Sequence, residues 1–348
     1  MSKEAAPALR VGLIGFGLAG QSFHAPILRT TPGLELACIV ERSGSLAAKL
    51  YPDVRAVRTV DEMLADKQIR LCVVATPHAT HGELAELCMR AGRDVVVDKP
   101  FTVTSAEARR LSQVASEQER LLSVYQNRRF DGDFETVRKI VNSGVLGQVV
   151  EYEARYDRYR PEPKLTWRDK EGPGSGVLYD LGPHLIDQAL TLFGAPTAVN
   201  ATMLRQRDFS PVVDGFDVCF EYPRLRALLR ARMLAYAPGP HFLIHGSKGS
   251  FSKFGMDPQE DPLRRGELPG GEHWGEDPEA LWGTLSLPGQ SPQKIQTEIG
   301  DYRRYYANVR DAIAGTAELA VTAEQGYHTI RAIELAEQSH KERRWIPW

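Results

Sequence analysis

The sequence predicts an α/β protein: a doubly wound parallel sheet at the N-terminus, then an α+β domain with an open-faced, mainly antiparallel sheet. Three observations predict this. Apolar runs and helical stretches alternate through the first third of the chain. A glycine-rich turn, Gly15-Phe16-Gly17-Leu18-Ala19-Gly20, joins the first run to the first helix. After about Asn127 the apolar residues alternate with polar ones instead of running together.

Strands are expected at Val11–Ile14, Leu36–Val40, Leu71–Ala75, Val95–Asp98 and Leu121–Tyr125. Runs such as CVVA and VVV lack alternation, as strands covered on both faces do. Helices at Gln21–Thr30, Ser45–Leu50, Asp61–Ala65, Gly82–Ala91 and Ser105–Glu119 supply the crossovers of a parallel sheet. In that architecture the carboxyl ends of the strands carry the ligand site. A further helix is expected at Gly132–Ser143, stopped by Gly144. VVEYEARYDRYR and the segments near 214–222, 226–235 and 241–254 alternate like half-exposed strands. Helices at 183–193, 302–314 and 322–340 complete the second domain. Residues 255–293, rich in Gly, Pro and acidic groups, read as a long surface excursion. The division predicted is 1–127 for a dinucleotide-binding domain and 128–348 for a substrate and oligomerisation domain.

Bulk properties exclude several classes. With 348 residues the chain has room for two cores. Lys plus Arg number 43 against 45 for Asp plus Glu, a net charge of −2. No global field then favours nucleic acid or an anionic membrane, and neither is expected as a partner. No apolar stretch approaches ~18 residues, and the start, MSKEAAPALR, lacks the apolar middle of a signal peptide. The expected location is the cytoplasm. Cys38, Cys72, Cys88 and Cys219 are widely spaced with no C-x-x-C pair, so they read as small buried thiols. No ligand cluster suggests a metal.

The spacing G-x-G-x-x-G arises by chance roughly 0.2 times in a chain this glycine-rich, so its place after a strand and before a helix carries the argument. There Gly15 permits a tight turn, Gly17 lets a pyrophosphate approach, and Gly20 allows close packing of helix on strand. The free N–H groups at the helix start face the phosphates. The second strand ends IVERS, with Glu41 twenty-one residues after Gly20. A carboxylate there accepts from ribose hydroxyls and repels a 2′-phosphate, which favours NAD. Arg42 beside it offers a grip on that phosphate instead, which leaves NADP open.

Two more strand ends point into the same crevice. One leaves at Thr76-Pro77, followed by His78 and His81; the other leaves at Asp98-Lys99-Pro100. An ammonium held by such a turn can donate to a reacting oxygen. In the second domain, Asp180 and His184 stand at i, i+4 ahead of an apolar helical face, with Pro183 read as a first-turn residue. A helix start there disfavours imidazolium and keeps His184 ready to accept a proton. An N-cap reading of Asp180 and a packed-histidine reading of His184 stand beside the functional one.

In this order the motifs resemble the Gfo/Idh/MocA oxidoreductase family. They are G-F-G-L-A-G, T-P-x-x-x-H at Thr76–His81, D-K-P at Asp98–Pro100, Q-N-R-R-F at Gln126–Phe130 and G-V-L-Y-D-L-G-P-H at Gly176–His184. R-Y-D-R-Y-R-P and P-G-S-G are most similar to the bacterial branch that contains scyllo-inositol dehydrogenases. The resemblance implies a Rossmann domain with an open-faced sheet domain often used for oligomerisation. It also implies catalytic roles for Lys99, Asp180 and His184. Where the family often has E-K-P, this chain has Asp98.

The expected reaction moves a hydride between a nicotinamide cofactor, NAD or NADP, and a polyol, cyclitol or sugar. His184 acts as base, Lys99 stabilises the oxygen, and Asp180 orients. Asn127, Arg128, Tyr156, Arg158 and Trp167 are candidate wall residues for a substrate with many hydroxyls. The same residues serve an NADPH-dependent reductase of a sugar ketone or aldehyde. A dinucleotide-sensing protein without chemistry is the rival from another class. Alternating apolar residues on the second sheet predict a homodimer or homotetramer.

Overall fold

The computed structural model describes residues 7–162, 170–208 and 210–348. The chain divides into two compact units. One comprises Met1–Phe130, Gln259–Trp274 and Asp301–Tyr327; the other comprises Asp131–Pro258, Gly275–Gly300 and His328–Trp348.

The first unit opens with β1 (Leu9–Ile14), α1 (Ala25–Thr30), β2 (Leu34–Val40), α2 (Leu46–Leu50), β3 (Arg55–Val57) and α3 (Val60–Leu64). It continues with β4 (Leu71–Val74), α4 (His81–Arg90), β5 (Asp94–Asp98), α5 (Ser105–Glu117) and β6 (Leu122–Tyr125). The strands are parallel in the order β3-β2-β1-β4-β5-β6. The order reverses between β1 and β4, where a crevice opens at the carboxyl ends. All four residues of β4 and of β6 are buried, which explains their unbroken apolar runs. Helix α5 starts where a capping box places it: the Thr104 hydroxyl accepts from Glu107 N–H, and the Glu107 carboxylate accepts from Val103 N–H.

Parallel register aligns the functional segments. Ile14 stands opposite Val40 and Val74, Val74 opposite Val97, and Asp98 opposite Tyr125. The residues that follow, Gly15, Glu41, Thr76, Lys99 and Gln126, therefore emerge along one edge.

The second unit begins with α6 (Gly132–Asn142), β7 (Val149–Asp157), α7 (Gly176–Phe193), β8 (Ala198–Leu204), β9 (Gly215–Glu221), β10 (Arg226–Arg232), β11 (Phe242–Gly246) and β12 (Gly249–Lys253). The chain then forms α8 (Glu260–Arg264) in the first unit, β13 (Gly283–Ser286) and β14 (Gln293–Ile295) in the second, and α9 (Arg303–Ile313) in the first. It ends with α10 (Ala323–Glu342) and β15 (Ile346–Pro347). The nine-stranded sheet runs β14-β13-β12-β11-β7-β10-β9-β8-β15, antiparallel except between β7 and β10. Its inner face, including Tyr152, Ala154, Tyr156, Val218, Phe220, Ala227 and Leu229, is buried, and α7 packs on β7, β9 and β10.

Three expectations need correction. Residues 255–293 are not a surface excursion: they contribute α8 and β13, and Asp257, Gln259, Leu263 and Leu285 are buried. The Gln259 amide oxygen accepts from Tyr302 N–H at 2.9 Å, a tie that composition does not reveal. The outward face of the second sheet is also not apolar. Glu153 lies 2.5 Å from Arg230 and pairs with Arg155, while Asp217 holds Arg232 at 2.6 Å and Arg230 at 3.3 Å. Finally, α7 starts at Gly176, so Pro183 lies inside it. Gly176 has φ +81°, and a Cβ there would sit 2.9 Å from the Val213 carbonyl oxygen, so the chain turns into the helix at a glycine. Gly182 before it has no Cβ, which removes one of the contacts that a proline ring disfavours.

Candidate active site

The first-unit half is built on the glycine turn. Gly15 has φ +97°, and a Cβ on it would stand 2.6 Å from the Ala75 carbonyl oxygen; only glycine fits where β1 meets the end of β4. A Cβ on Gly20 would collide with the Gly15 carbonyl oxygen, so the helix start lies directly on the turn. Around Gly17 a Cβ meets nothing within 4 Å. The turn thus has open space at the glycine where a pyrophosphate would approach, and these residues fit a dinucleotide. Gln21 N–H donates to the Gly17 carbonyl at 2.9 Å and opens a π-helical turn, Gly20–His24, ahead of α1. Phe16 is buried edge-on against Tyr51, Leu18 is exposed, and Ala19 is partly exposed.

Glu41 lies at the predicted strand end but is used differently. Its carboxylate oxygens accept from Leu46 N–H at 3.1 Å and Ala47 N–H at 3.0 Å, capping the start of α2. Both carboxylate oxygens are therefore engaged by α2, a contact that the strand-end reading does not include. The Arg58 guanidinium donates to the carbonyls of Glu41 at 3.0 Å and Gly44 at 2.5 Å, tying the loop that carries Arg42, Ser43 and Ser45. All three of those residues are exposed. Sequence reasoning missed Arg58, since nothing local links it to a loop fourteen residues earlier.

At the next edge, Thr76 and Pro77 lead through a short 3₁₀ turn, His78–Thr80, into α4. His78 is buried and its ring meets that of His81 edge-on at 5.7 Å. His81, expected at the cofactor, is fully buried and bound to backbone: Nδ1 lies 2.9 Å from the Pro100 carbonyl oxygen and Nε2 2.9 Å from that of Thr76. It joins the two strand-end loops rather than facing outward. A carbonyl oxygen only accepts, so a neutral ring makes one of these bonds and a protonated ring makes both.

Lys99 follows β5 and is joined to Pro100 by a cis bond. Asp98 Oδ1 accepts from Lys99 N–H at 2.8 Å. Burial pushes the Asp98 carboxyl up, but His24, Lys99 and His81 outweigh burial and hold it well below the usual carboxylate range. A carboxylate with a lowered folded-state value contributes stability that is complete above the unfolded value, about 3.9. That contribution is lost as the pH falls below it. Asp98→Asn is therefore expected to flatten the acid limb of Tm against pH. A thermal melt series from neutral pH downward checks this, and an unchanged acid limb would contradict it.

Asn127 and Arg128 are buried at the start of the Q-N-R-R-F turn. Arg128 pairs with Glu260 on α8, so its guanidinium is anchored inside the first unit.

The second-unit half centres on α7. Asp180 and His184 lie one turn apart on it, as their spacing predicts; Asp180 is partly exposed and His184 buried. Both sit beyond the first turn, so the helix N-terminus neither explains Asp180 as a cap nor tunes His184. The Tyr156 ring stands 6.2 Å from the His184 ring and 5.1 Å from that of His241. His241 Nδ1 is 3.2 Å from Asp133 Oδ2, and Arg158 lies over Tyr156 at 5.9 Å. His241 and Asp133 were not singled out in the sequence; His241 is tied to β7 by the Arg155 N–H to its carbonyl at 2.9 Å, and Asp133 comes from α6. Trp167 lies outside the described residues.

The comparisons agree with this architecture. Residues 9–126 match the domain described as "Oxidoreductase family, NAD-binding Rossmann fold" and residues 138–348 the "Oxidoreductase family, C-terminal alpha/beta domain". The chain is 42% identical over 336 residues to the oxidoreductase YdgJ of Escherichia coli, covering 96% of this chain and 97% of that one. It is 40% identical over 341 residues to the scyllo-inositol 2-dehydrogenase (NADP(+)) IolW of Bacillus subtilis, covering 97% and 95%. The solved structure of the oxidoreductase yvaA from Bacillus subtilis superposes with a TM-score of 0.95 at 39% identity, covering 99% of this chain and all of that one. With a Rossmann half and an α/β half both matched, the chain belongs to the Gfo/Idh/MocA family of NAD(P)-dependent oxidoreductases.

Proposed function

We propose that this dehydrogenase transfers a hydride between a nicotinamide cofactor, held by residues 1–127, and a ring hydroxyl of a cyclitol or related polyol, held by residues 128–348. The observation that carries the reading is the Asp98-Lys99-Pro100 turn at the carboxyl edge of a sheet whose glycine turn has open space at Gly17. Likeness to a scyllo-inositol 2-dehydrogenase supports the substrate class.

Bound nicotinamide supplies the hydride acceptor. Backbone N–H groups of Gly15–Gly20 would hold the pyrophosphate, and Thr76, Pro77 and His78 at the neighbouring strand end would hold the nicotinamide half. His184 takes the hydroxyl proton on a ring nitrogen. Lys99 Nζ donates to the same oxygen as negative charge develops. Asp180 accepts from a hydroxyl and fixes the ring's orientation. Asn127, Tyr156, Arg158 and Trp167 supply further hydroxyl contacts. The test is nicotinamide absorbance with NAD and NADP across cyclitols and sugars. Turnover confined to cyclitols and close polyols supports the reading; no turnover with any of them overturns it.

NADP is the cofactor this reading favours. Glu41 is occupied at α2, while exposed Arg42, Ser43 and Ser45 on the Arg58-tied loop suit a 2′-phosphate. Arg42→Ala is expected to weaken NADP by about 10–100-fold, the loss of one charge-assisted hydrogen bond, and to leave NAD unchanged. Fluorescence titration with both cofactors checks this, and tighter NAD binding by the wild type would contradict it.

The open nine-stranded sheet leaves a charged outward face, and we infer that a second copy covers it, as a dimer or tetramer. Sedimentation should show an oligomer at micromolar concentration that loosens as salt screens the charges. A monomer at low salt would contradict it. The four free cysteines support a reducing compartment such as the cytoplasm.

A further inference from the structure

We propose that His24 and Tyr306 are positioning residues for Lys99, acting through the Asp98 side chain. This rests on the reading of Lys99 as the group that stabilises the reacting oxygen.

Three elements of the first unit meet here. His24 closes the π-helical turn that follows Gly20, Tyr306 lies on α9, and Asp98 ends β5. His24 and Tyr306 are both 0% exposed. His24 Nδ1 stands 2.6 Å from the Tyr306 hydroxyl, and His24 Nε2 is 3.6 Å from Asp98 Oδ1. That same Oδ1 accepts the Lys99 backbone N–H. At 3.6 Å, His24 Nε2 and Asp98 Oδ1 face each other as a charge pair without a hydrogen bond, and Nε2 has no hydrogen-bond partner among the described residues.

The Asp98 carboxylate decides where the ring carries a proton, because a lone pair on Nε2 would face a negative oxygen. Burial, with Tyr125, Tyr305 and Asp98 nearby, pushes the Tyr306 hydroxyl well above its ordinary value, so it remains an O–H donor. It donates to Nδ1 of a neutral ring and accepts from Nδ1 of a protonated one, since a hydroxyl does both. The proton sits on Nε2 and faces the Asp98 oxygen that holds Lys99. The ring cannot rotate out of this arrangement cheaply. Tyr125 packs on it at 4.3 Å, and the Tyr125 hydroxyl donates to the Phe23 carbonyl at 2.8 Å, pinning the preceding residue.

The chain of contacts joins the helix after the glycine turn to the Lys99 turn. Among the described residues the His24 side chain meets Tyr306, Tyr125 and Asp98, none of which belongs to the glycine turn. Its loss should therefore move Lys99 rather than loosen the cofactor, and small displacements of a catalytic group cost rate steeply.

The test uses the full chain with NADP and scyllo-inositol, and the variants Tyr306→Phe, His24→Asn, His24→Gln and Lys99→Ala. Glutamine places its amide N–H2 near the position of Nε2, whereas asparagine reaches only as far as Nδ1. Expected are kcat losses of about 10–100-fold in Tyr306→Phe and His24→Asn, with cofactor affinity by fluorescence unchanged. His24→Gln should recover most of the rate. Equal losses in the two His24 variants, undisturbed kcat, or a loss confined to cofactor affinity would overturn the proposal. If Lys99→Ala is inactive while His24 and Tyr306 variants turn over normally, this inference alone fails. If Lys99→Ala turns over normally, both it and the Lys99 reading fail. Should the His24 variants not fold, Tyr306→Phe, which removes one buried oxygen, decides the matter by its kcat.

Discussion

Replacing His184 with alanine is expected to lower kcat by about 10²–10⁴-fold, roughly 3–5 kcal/mol of barrier, without changing cofactor affinity. The basis is its place on α7, one turn from Asp180 and beside the Tyr156 ring, in a unit that contains none of the glycine turn. Without its base the hydroxyl proton must leave to water, so residual turnover should depend more steeply on high pH. Lys99→Ala should lose comparable rate and also weaken the nicotinamide end. Steady-state kinetics on the best cyclitol, with cofactor binding measured separately, checks both. Near-wild-type turnover in His184→Ala would return the histidine to a packing role.

A second large effect separates binding from folding at the glycine turn. Gly17→Ala adds a Cβ into open space, so the fold should stand and Tm should hold. Cofactor affinity should nevertheless fall by about 10²-fold, the loss of two charge-assisted hydrogen bonds at the low end of their range. Gly15→Ala should behave oppositely, because its Cβ would press on the Ala75 backbone from a left-handed conformation. That variant should lose stability before binding can be asked about. Circular-dichroism melts paired with fluorescence titration distinguish the two, and equal cofactor affinity in Gly17→Ala and wild type would contradict the assignment.

These contrasts show what kind of information the sequence holds. The glycine turn is legible because each glycine answers a steric demand a few residues away. The Asp98-Lys99-Pro100 turn is legible because it ends an apolar run of known direction. Glu41 was correctly placed at a strand end, but its direction was not readable: the amides of α2, five and six residues on, compete with a ribose for the same oxygens. Pro183 misled because proline suits a first turn, whereas α7 has already started at Gly176. The segment 255–293 misled because composition marks loops but not their distant partners, such as Gln259 with Tyr302. His24 and Tyr306 are 282 residues apart, so no local pattern joins them.

The central claim is hydride transfer from a cyclitol carbon to the cofactor. The direct measurement is to incubate the enzyme with NADP and scyllo-inositol deuterated at its ring carbons, then locate the label in the reduced cofactor by NMR. The account predicts one deuterium on nicotinamide C4, formed by wild type and at a greatly reduced rate by His184→Ala. Reduced cofactor carrying hydrogen from solvent, or no reduction at all, would contradict it.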